Sequence, residues 1–227
     1  AMLKSFRILM AISASLGFVV TKLNFKNAYV QAPLKKTVYM RHPDGFPGPP
    51  GTCLKLIKSL YGLVEASKLW ADLLKSFLLT LGFIVCRSDA CVYFHPGFIM
   101  FLIIYSDDVL CHTSNEKARK IITKKIAERF KIKILGVVKK YVGIEVAFNG
   151  NGSIAISQSN YVLAMLERYK MSSCNPSKTP ASPGQMELPS SSTDTQDEEE
   201  RAKIPYRSAV GSLLYAARGA RPELELS

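Results

Sequence analysis

The stretch FIMFLIIYSDDVLCHT, residues 98 to 113, constrains the fold more than any other. An unbroken apolar run of strand length ends at Tyr105, two acids follow Ser106, and apolar residues resume at Val109. This pattern predicts two strands joined by a tight turn, with Asp107 and Asp108 at its tip. Two readings of the acids stand side by side. Aspartate is favoured in turns because its side chain bonds nearby backbone N–H groups. Adjacent like charges at the end of a buried strand also repel, and a divalent cation relieves that cost. Mg²⁺ takes carboxylates together with phosphate oxygens, and two such ions can clamp the attacking and leaving oxygens of a phosphoryl transfer. The second reading therefore calls for a third carboxylate from elsewhere in the chain.

Charge separates the chain into two parts. Residues 1 to 178 carry 25 Lys and Arg against 10 Asp and Glu, whereas residues 179 to 227 carry 5 against 8. A basic globular body suits a polyanionic partner such as nucleic acid, and a solvated lysine-rich face is the competing explanation. With 48% hydrophobic residues in 227, one sizeable core or two modest ones can form. Cys53, Cys86, Cys91, Cys111 and Cys174 are odd in number and lack CxxC spacing. Neither a zinc site nor a disulfide framework is indicated, which fits an intracellular, cytoplasmic or nuclear protein that is not secreted. No apolar run reaches the roughly 18 to 20 residues that span a bilayer, so no membrane partner is expected. The segment ILMAISASLGFVV (residues 8 to 20) superficially resembles a signal peptide. Its spacing of Ile8, Leu9, Ile12 and Leu16 reads better as a helix stopped at Gly17 and leading into a strand that ends at Phe25.

From there the expected order is a strand (19 to 25), a loop-rich stretch (30 to 58), a helix (66 to 81), a strand (90 to 95) and the acidic hairpin. Thr113 and Glu116 form a capping-box pattern, and Ile122, Ile126 and Phe130 share one face of a helix running to Lys131. Strands over 139 to 148 and 153 to 157 flank the turn Asn149-Gly150-Asn151-Gly152. The sum is an α+β fold, a ferredoxin-like split β-α-β antiparallel sheet with two helices on one face. A helix over 160 to 170 puts Val162, Met165, Leu166 and Tyr169 on one side. Residues 172 to 203 are rich in Ser, Pro and acids, including Asp197 to Glu200, and read as a linker. Helical character returns at Tyr206 to Ala217 and should stop at Arg221-Pro222.

Six segments, in order, resemble the reverse transcriptases of copia-type retrotransposons. LNFKNAYVQAPLKKTVYMRHPDGF is similar to the family's LDVKTAFLNGxLxExVYMxQPxGF, and KLIKSLYGLVEASKLW to KLxKSLYGLKQAPRxW. YSDDVL resembles YVDDML, and LGVVKKYVGIEV resembles LGxxKYFLGIEV. SQSNYVLAMLERYKM resembles SQxxYxxxLLxxFxM, and PYRSAVGSLLYAARGARPE resembles PYRxAVGSLxYLxxxTRPD. The resemblance implies a polymerase palm with remnant fingers over 1–157, a thumb-like helix over 158–171, the linker 172–203 and a C-terminal helical segment 204–227. It also implies a primer-template of RNA and DNA, a deoxynucleoside triphosphate, and Mg²⁺ or Mn²⁺ on Asp107 and Asp108.

The third catalytic carboxylate of the family falls at Asn24 in this chain. An amide oxygen can touch Mg²⁺ but brings no negative charge, so a rate loss of about a hundredfold or more is expected for one lost charge at a preorganised site. By the same resemblance Tyr29 lies under the incoming sugar and excludes a 2′-hydroxyl, with a plain core tyrosine as the competing reading. Asn27 and Ala28 offer backbone N–H groups to the triphosphate. Glu65 stands where the family has Gln and sets a negative charge against the nucleotide; Ser67 and Lys68 replace its Pro and Arg. Tyr141, Val142, Gly143 and Ile144 match the hairpin that holds the primer end.

The fingers segment and ribonuclease H domain that accompany the family's palm have no counterpart in these residues, and the start at Ala1-Met2 reads as a fragment or truncated product. Two functions follow: an impaired RNA-directed DNA polymerase, or a non-catalytic nucleic-acid-binding or assembly module derived from one. An unrelated phosphotransferase is disfavoured because no GxxxxGK[ST] loop occurs.

Overall fold

The computed structural model describes residues 2–46, 48–177 and 205–226. It is a mixed α/β protein with antiparallel sheets and, among the described residues, five α-helices. Two compact units, Ala1–Val138 and Lys139–Ser227, organise it.

The first unit is built on a six-stranded sheet. In chain order its elements are α1 (Leu3–Leu16), β1 (Val19–Phe25), the paired β2 (Tyr39–Met40) and β3 (Leu54–Lys55), and α2 (Ala66–Thr80). Then come β4 (Ile84–Val85), β5 (Val92–His95), β6 (Met100–Tyr105), β7 (Asp108–Thr113), α3 (Glu116–Arg129) and β8 (Ile132–Val137). The sheet order is β4-β5-β6-β7-β1-β8, and every pairing is antiparallel. Because strand side chains alternate, Leu23, Phe25, Leu102, Ile104, Val109 and Cys111 share one face. They bury against Leu69, Trp70, Leu74 and Leu78 of α2 and Ala118, Ile122 and Ile126 of α3. The two expected helices thus do lie on one face. Phe25 packs edge-on against Trp70 and Phe130, at 4.9 and 5.6 Å between ring centres.

The opposite face carries Val20, Ile103, Leu110 and His112, all fully buried, and α1 lies against it. Ser13 Oγ and His112 Nδ1 are 2.8 Å apart. Burial pushes His112 down to about 3, so the imidazole is neutral. Asp89 fastens the start of α1, accepting from Met2 N at 2.9 Å and Ser5 Oγ at 2.7 Å. Gly17 ends the helix in the left-handed region, φ 62, which a residue without Cβ adopts at little cost. The expected face of α1 needs correction. Leu9 is buried, but Ile8 and Leu16 are exposed, and Phe6, Met10 and Ser13 complete the inner stripe.

Two further expectations shift, the cap of α3 and the run after it. The cap of α3 is Asn115, which accepts from Ala118 N at 2.9 Å. Thr113 is still in β7 and instead accepts from Asn115 N at 3.1 Å. Strand β8, unexpected from sequence, pairs along β1 with a bulge between Lys22 and Leu23. It forms one edge of the sheet, and Ile134 is 63% exposed. The loop-rich stretch holds only the short β2–β3 pair and a 3₁₀ turn at Tyr29–Gln31.

The second unit contains β9 (Lys140–Tyr141), β10 (Ile144–Phe148), β11 (Ile154–Ser157), α4 (Ser159–Arg168) and α5 (Tyr206–Gly219). The strand expected over 139 to 148 is a tight hairpin, with Tyr141 paired to Ile144. Met165 is buried, with Val162, Leu166 and Tyr169 half-buried beside it. Tyr161 and Tyr215 meet edge-on at 4.7 Å, joining α4 to α5. Of the expected linker, residues 172–177 form no helix or strand, and 178–203 lie outside the described residues. No helix among the described residues is long and apolar enough to cross a membrane.

Candidate active site

The acidic hairpin forms with a two-residue loop, one residue earlier than the expected Asp107-Asp108 tip. Tyr105 pairs with Asp108, so Ser106 and Asp107 are the loop and Asp108 opens β7. Ser106 has φ 55, the positive angle that tight hairpin turns demand at their first central position. Three bonds hold this turn against the core. Trp70 Nε1 donates to Ser106 O at 2.9 Å, Phe25 N donates to Asp107 O at 2.7 Å, and the hydroxyls of Tyr29 and Ser106 lie 2.9 Å apart.

Antiparallel pairing of β1 with β7 sets Asn24 directly opposite Asp108. The residue expected in place of a third carboxylate therefore does meet the other two. Its Nδ2 donates to Asp107 Oδ2 at 2.8 Å and to Asp108 Oδ1 at 3.2 Å. Facing two carboxylates, only the NH₂ end of the amide is favourable, because a carbonyl oxygen there would meet like charge. Lys22, two residues earlier on the same strand face, places Nζ 2.7 Å from Asp108 Oδ2. Its side chain is 18% exposed and that of Asp108 24%.

Mg²⁺ or Mn²⁺, implied by the sequence resemblance, does not fit this arrangement. A metal needs oxygen lone pairs turned toward it at about 2.0 to 2.1 Å for Mg²⁺. Three of the four carboxylate oxygens here face N–H donors instead. Among the described residues, no three His, Cys, Asp or Glu side chains gather closely enough to hold a metal ion.

The other expected residues are unequally placed. Tyr29 touches the hairpin and leans on Tyr61, with ring centres 4.6 Å apart. The Tyr61 phenol is raised above its ordinary value, first by desolvation and then by the Asp107 charge, with a hydrogen bond from the Ala28 backbone opposing. Ala28 itself is fully buried. Asn27 is exposed with φ 51 and lines a cavity of about 610 Å³ together with Lys26, Lys58, Arg129 and Lys131. Glu65 stands at the N-terminus of α2, where the helix dipole favours a negative charge. The bonds around the carboxylates do not include it.

Tyr141, Val142, Gly143 and Ile144 form the β9–β10 turn of the second unit. Val142 and Gly143 both have positive φ, 45 and 78. Tyr215 OH donates to Val142 O at 2.7 Å, and a Cβ on Gly143 would collide with that hydroxyl. The glycine is thus required by α5 as well as by the turn. Glu145 follows, accepting from Ser157 Oγ at 2.8 Å and from the Asn160 side chain, with Ser157 the larger cause of its lowered pKa.

Sequence reasoning missed Lys22 and Tyr61. For Lys22 a signal existed: it precedes Asn24 by two in a strand and so shares its face. Tyr61 gave none, because only the folded loop brings it to Tyr29.

A family model described as reverse transcriptase (RNA-dependent DNA polymerase) matches residues 1–183. The chain is 33% identical, over 97% of its length, to the retrovirus-related Pol polyprotein from transposon TNT 1-94 of Nicotiana tabacum. Similar proteins in Arabidopsis thaliana, the Pol polyproteins from transposons RE1 and RE2, are 31% and 30% identical over 94% and 97% of the chain. The chain spans 17%, 14% and 15% of the lengths of these three relatives.

Proposed function

The chain belongs to the reverse transcriptase (RNA-dependent DNA polymerase) family, of the copia retrotransposon type, and from this we propose a primer-template-binding domain whose DNA synthesis is suppressed at its own carboxylate site. Asn24 carries the proposal. An amide whose N–H groups bond both Asp107 and Asp108 supplies neither the charge nor the oxygen that a third catalytic acid would bring.

Binding draws support from charge. Residues 1–138 hold 20 Lys and Arg against 8 Asp and Glu, and the cavity beside Asn27 is lined by four of those cations. In this reading the six-stranded sheet is the palm, the β9–β10 turn holds the primer end, and α4 and α5 belong to the thumb. Tyr29 sits under the nucleotide sugar.

Two measurements test this. Fluorescence anisotropy with an RNA–DNA primer-template should show affinity falling steeply with salt, since each phosphate contact contributes about 0.7 to 0.9 to the slope of log K against log salt. A flat response, or no binding at low salt, removes the binding half. For the catalytic half, Mg²⁺-dependent extension of oligo(dT) on poly(rA) should be at or near background. With the fingers supplied, Asn24→Asp should raise it about a hundredfold or more. Robust extension by the chain as it stands would overturn the suppression.

A further inference from the structure

We propose that Lys22 is a tethered counter-ion occupying, at the Asp107–Asp108 pair, the electrostatic role of a divalent metal, so that this site is complete without any metal ion. The inference rests on the reading of the carboxylate site given above, yet it concerns a different residue and a different measurable.

Strand register creates the arrangement. Lys22 and Asn24 project from the same face of β1, and Asn24 is paired across to Asp108. Lys22 is itself opposite Leu110, one same-face step further from the hairpin loop. Its ammonium nevertheless reaches back to Asp108 Oδ2 at 2.7 Å instead of extending into water. Holding a long side chain in one geometry costs rotamer entropy, which exposed pairs seldom recover. Here the pair is mostly shielded, at 18% and 24% side-chain exposure, so the attraction is less screened.

The donors interlock. Asn24 spends its two N–H groups on one oxygen of each acid, and Lys22 takes the second oxygen of Asp108. Two carboxylates are thus bridged by an amide and capped by one positive charge. A divalent ion entering this site has to break three charge-assisted bonds and displace a cation that cannot diffuse away. The same contacts reduce the like-charge repulsion that would otherwise favour metal uptake.

Mn²⁺ binding to the metal-stripped full chain, followed by the electron paramagnetic resonance of free Mn²⁺ and checked by a thermal shift, tests the assignment. Wild type should show no saturable site that Asp107→Asn abolishes. Lys22→Gln should gain such a site, and Lys22→Gln combined with Asn24→Asp should bind about tenfold more tightly again, because each change makes the cluster one unit more negative. Lys22→Arg keeps the charge and should behave as wild type, which separates loss of the cation from loss of the fold. Equal Mn²⁺ binding by wild type and Lys22→Gln, abolished in both by Asp107→Asn, would overturn the inference. So would a folded double variant that gains no site. Neither result bears on primer extension, which judges Asn24 separately.

Discussion

Replacing Asn24 by Asp should destabilise the chain at neutral pH while improving its chemistry. The side chain now donates to Asp107 at 2.8 Å and Asp108 at 3.2 Å. Hydrogen bonds to charged groups contribute about 1.5 to 3 kcal/mol each, and both are lost when the new acid is ionised. A third negative charge about 4 Å from each neighbour adds about 4 kcal/mol of repulsion per pair at an effective dielectric of 20. These figures do not simply add, because the cluster can retain a proton. Protonating an ordinary aspartate at pH 7 costs about 4 kcal/mol, which caps the electrostatic penalty. Lys22 already serves Asp108 and offsets part of the remainder. A retained proton lets the side chain keep one of the two donations. The expected loss at pH 7 is therefore the protonation cost of about 4 kcal/mol plus one lost bond of about 1.5 to 3, less the Lys22 offset, or about 4 to 6 kcal/mol, shrinking as pH falls toward 5 because the retained proton becomes cheaper. Urea denaturation at pH 5 and pH 7, each with and without millimolar Mn²⁺, measures it. A variant as stable as wild type at pH 7 without metal, or equally weakened at both pH values, would refute the reasoning.

His112 should make the fold acid-sensitive well above the carboxylate range. Its ordinary value of 6.5 is pushed by burial to about 3, so its stabilising contribution is full above pH 6.5 and is lost as pH falls through that window. The unfolded chain takes up the proton first, giving a loss of about 2.5 kcal/mol by pH 4.5. His112→Gln should flatten the urea midpoint between those pH values, and an unchanged slope would exclude His112 as the cause. Capping offers a simpler test: Asn115→Ala should cost about 1 kcal/mol, and Thr113→Ala less. The reverse order in thermal denaturation would restore Thr113 as the cap.

Much of the sheet was legible because its strongest signal is local. The apolar run to Tyr105, the two acids after Ser106 and the return at Val109 specify a hairpin without reference to anything distant, and pairing alone moves its loop back to Ser106-Asp107. Resemblance to a family puts Asn24 at the end of the first strand, and strand pairing sets it opposite Asp108. Failures arose where distant contacts decide. The inner stripe of α1 is fixed by what Ser13 reaches on β7, and the Ile8–Leu16 spacing is silent about His112. Strand β8 escaped notice because an edge strand with exposed Ile134, Leu135 and Val137 shows no alternation, and Gly136 reads as a turn. Thr113 fits a capping box as well as Asn115 fits a cap, until β7 is seen to run through it. Lys22 is an intermediate case: its spacing of two from Asn24 puts both on one strand face, but its contact with Asp108 depends on the partner strand.

Trp70 is the sole tryptophan of the sequence, buried in the core with its indole N–H on Ser106 O. The tryptophan fluorescence of the chain therefore originates from a single ring, one hydrogen bond from the loop that carries Asp107. Opening of the hairpin would free that N–H and admit water, shifting emission to longer wavelength, whereas changes confined to the distant end of the sheet would leave the spectrum alone. The molecule thus contains its own optical reporter of carboxylate-loop geometry, readable without a label during titration with nucleic acid, Mn²⁺ or acid.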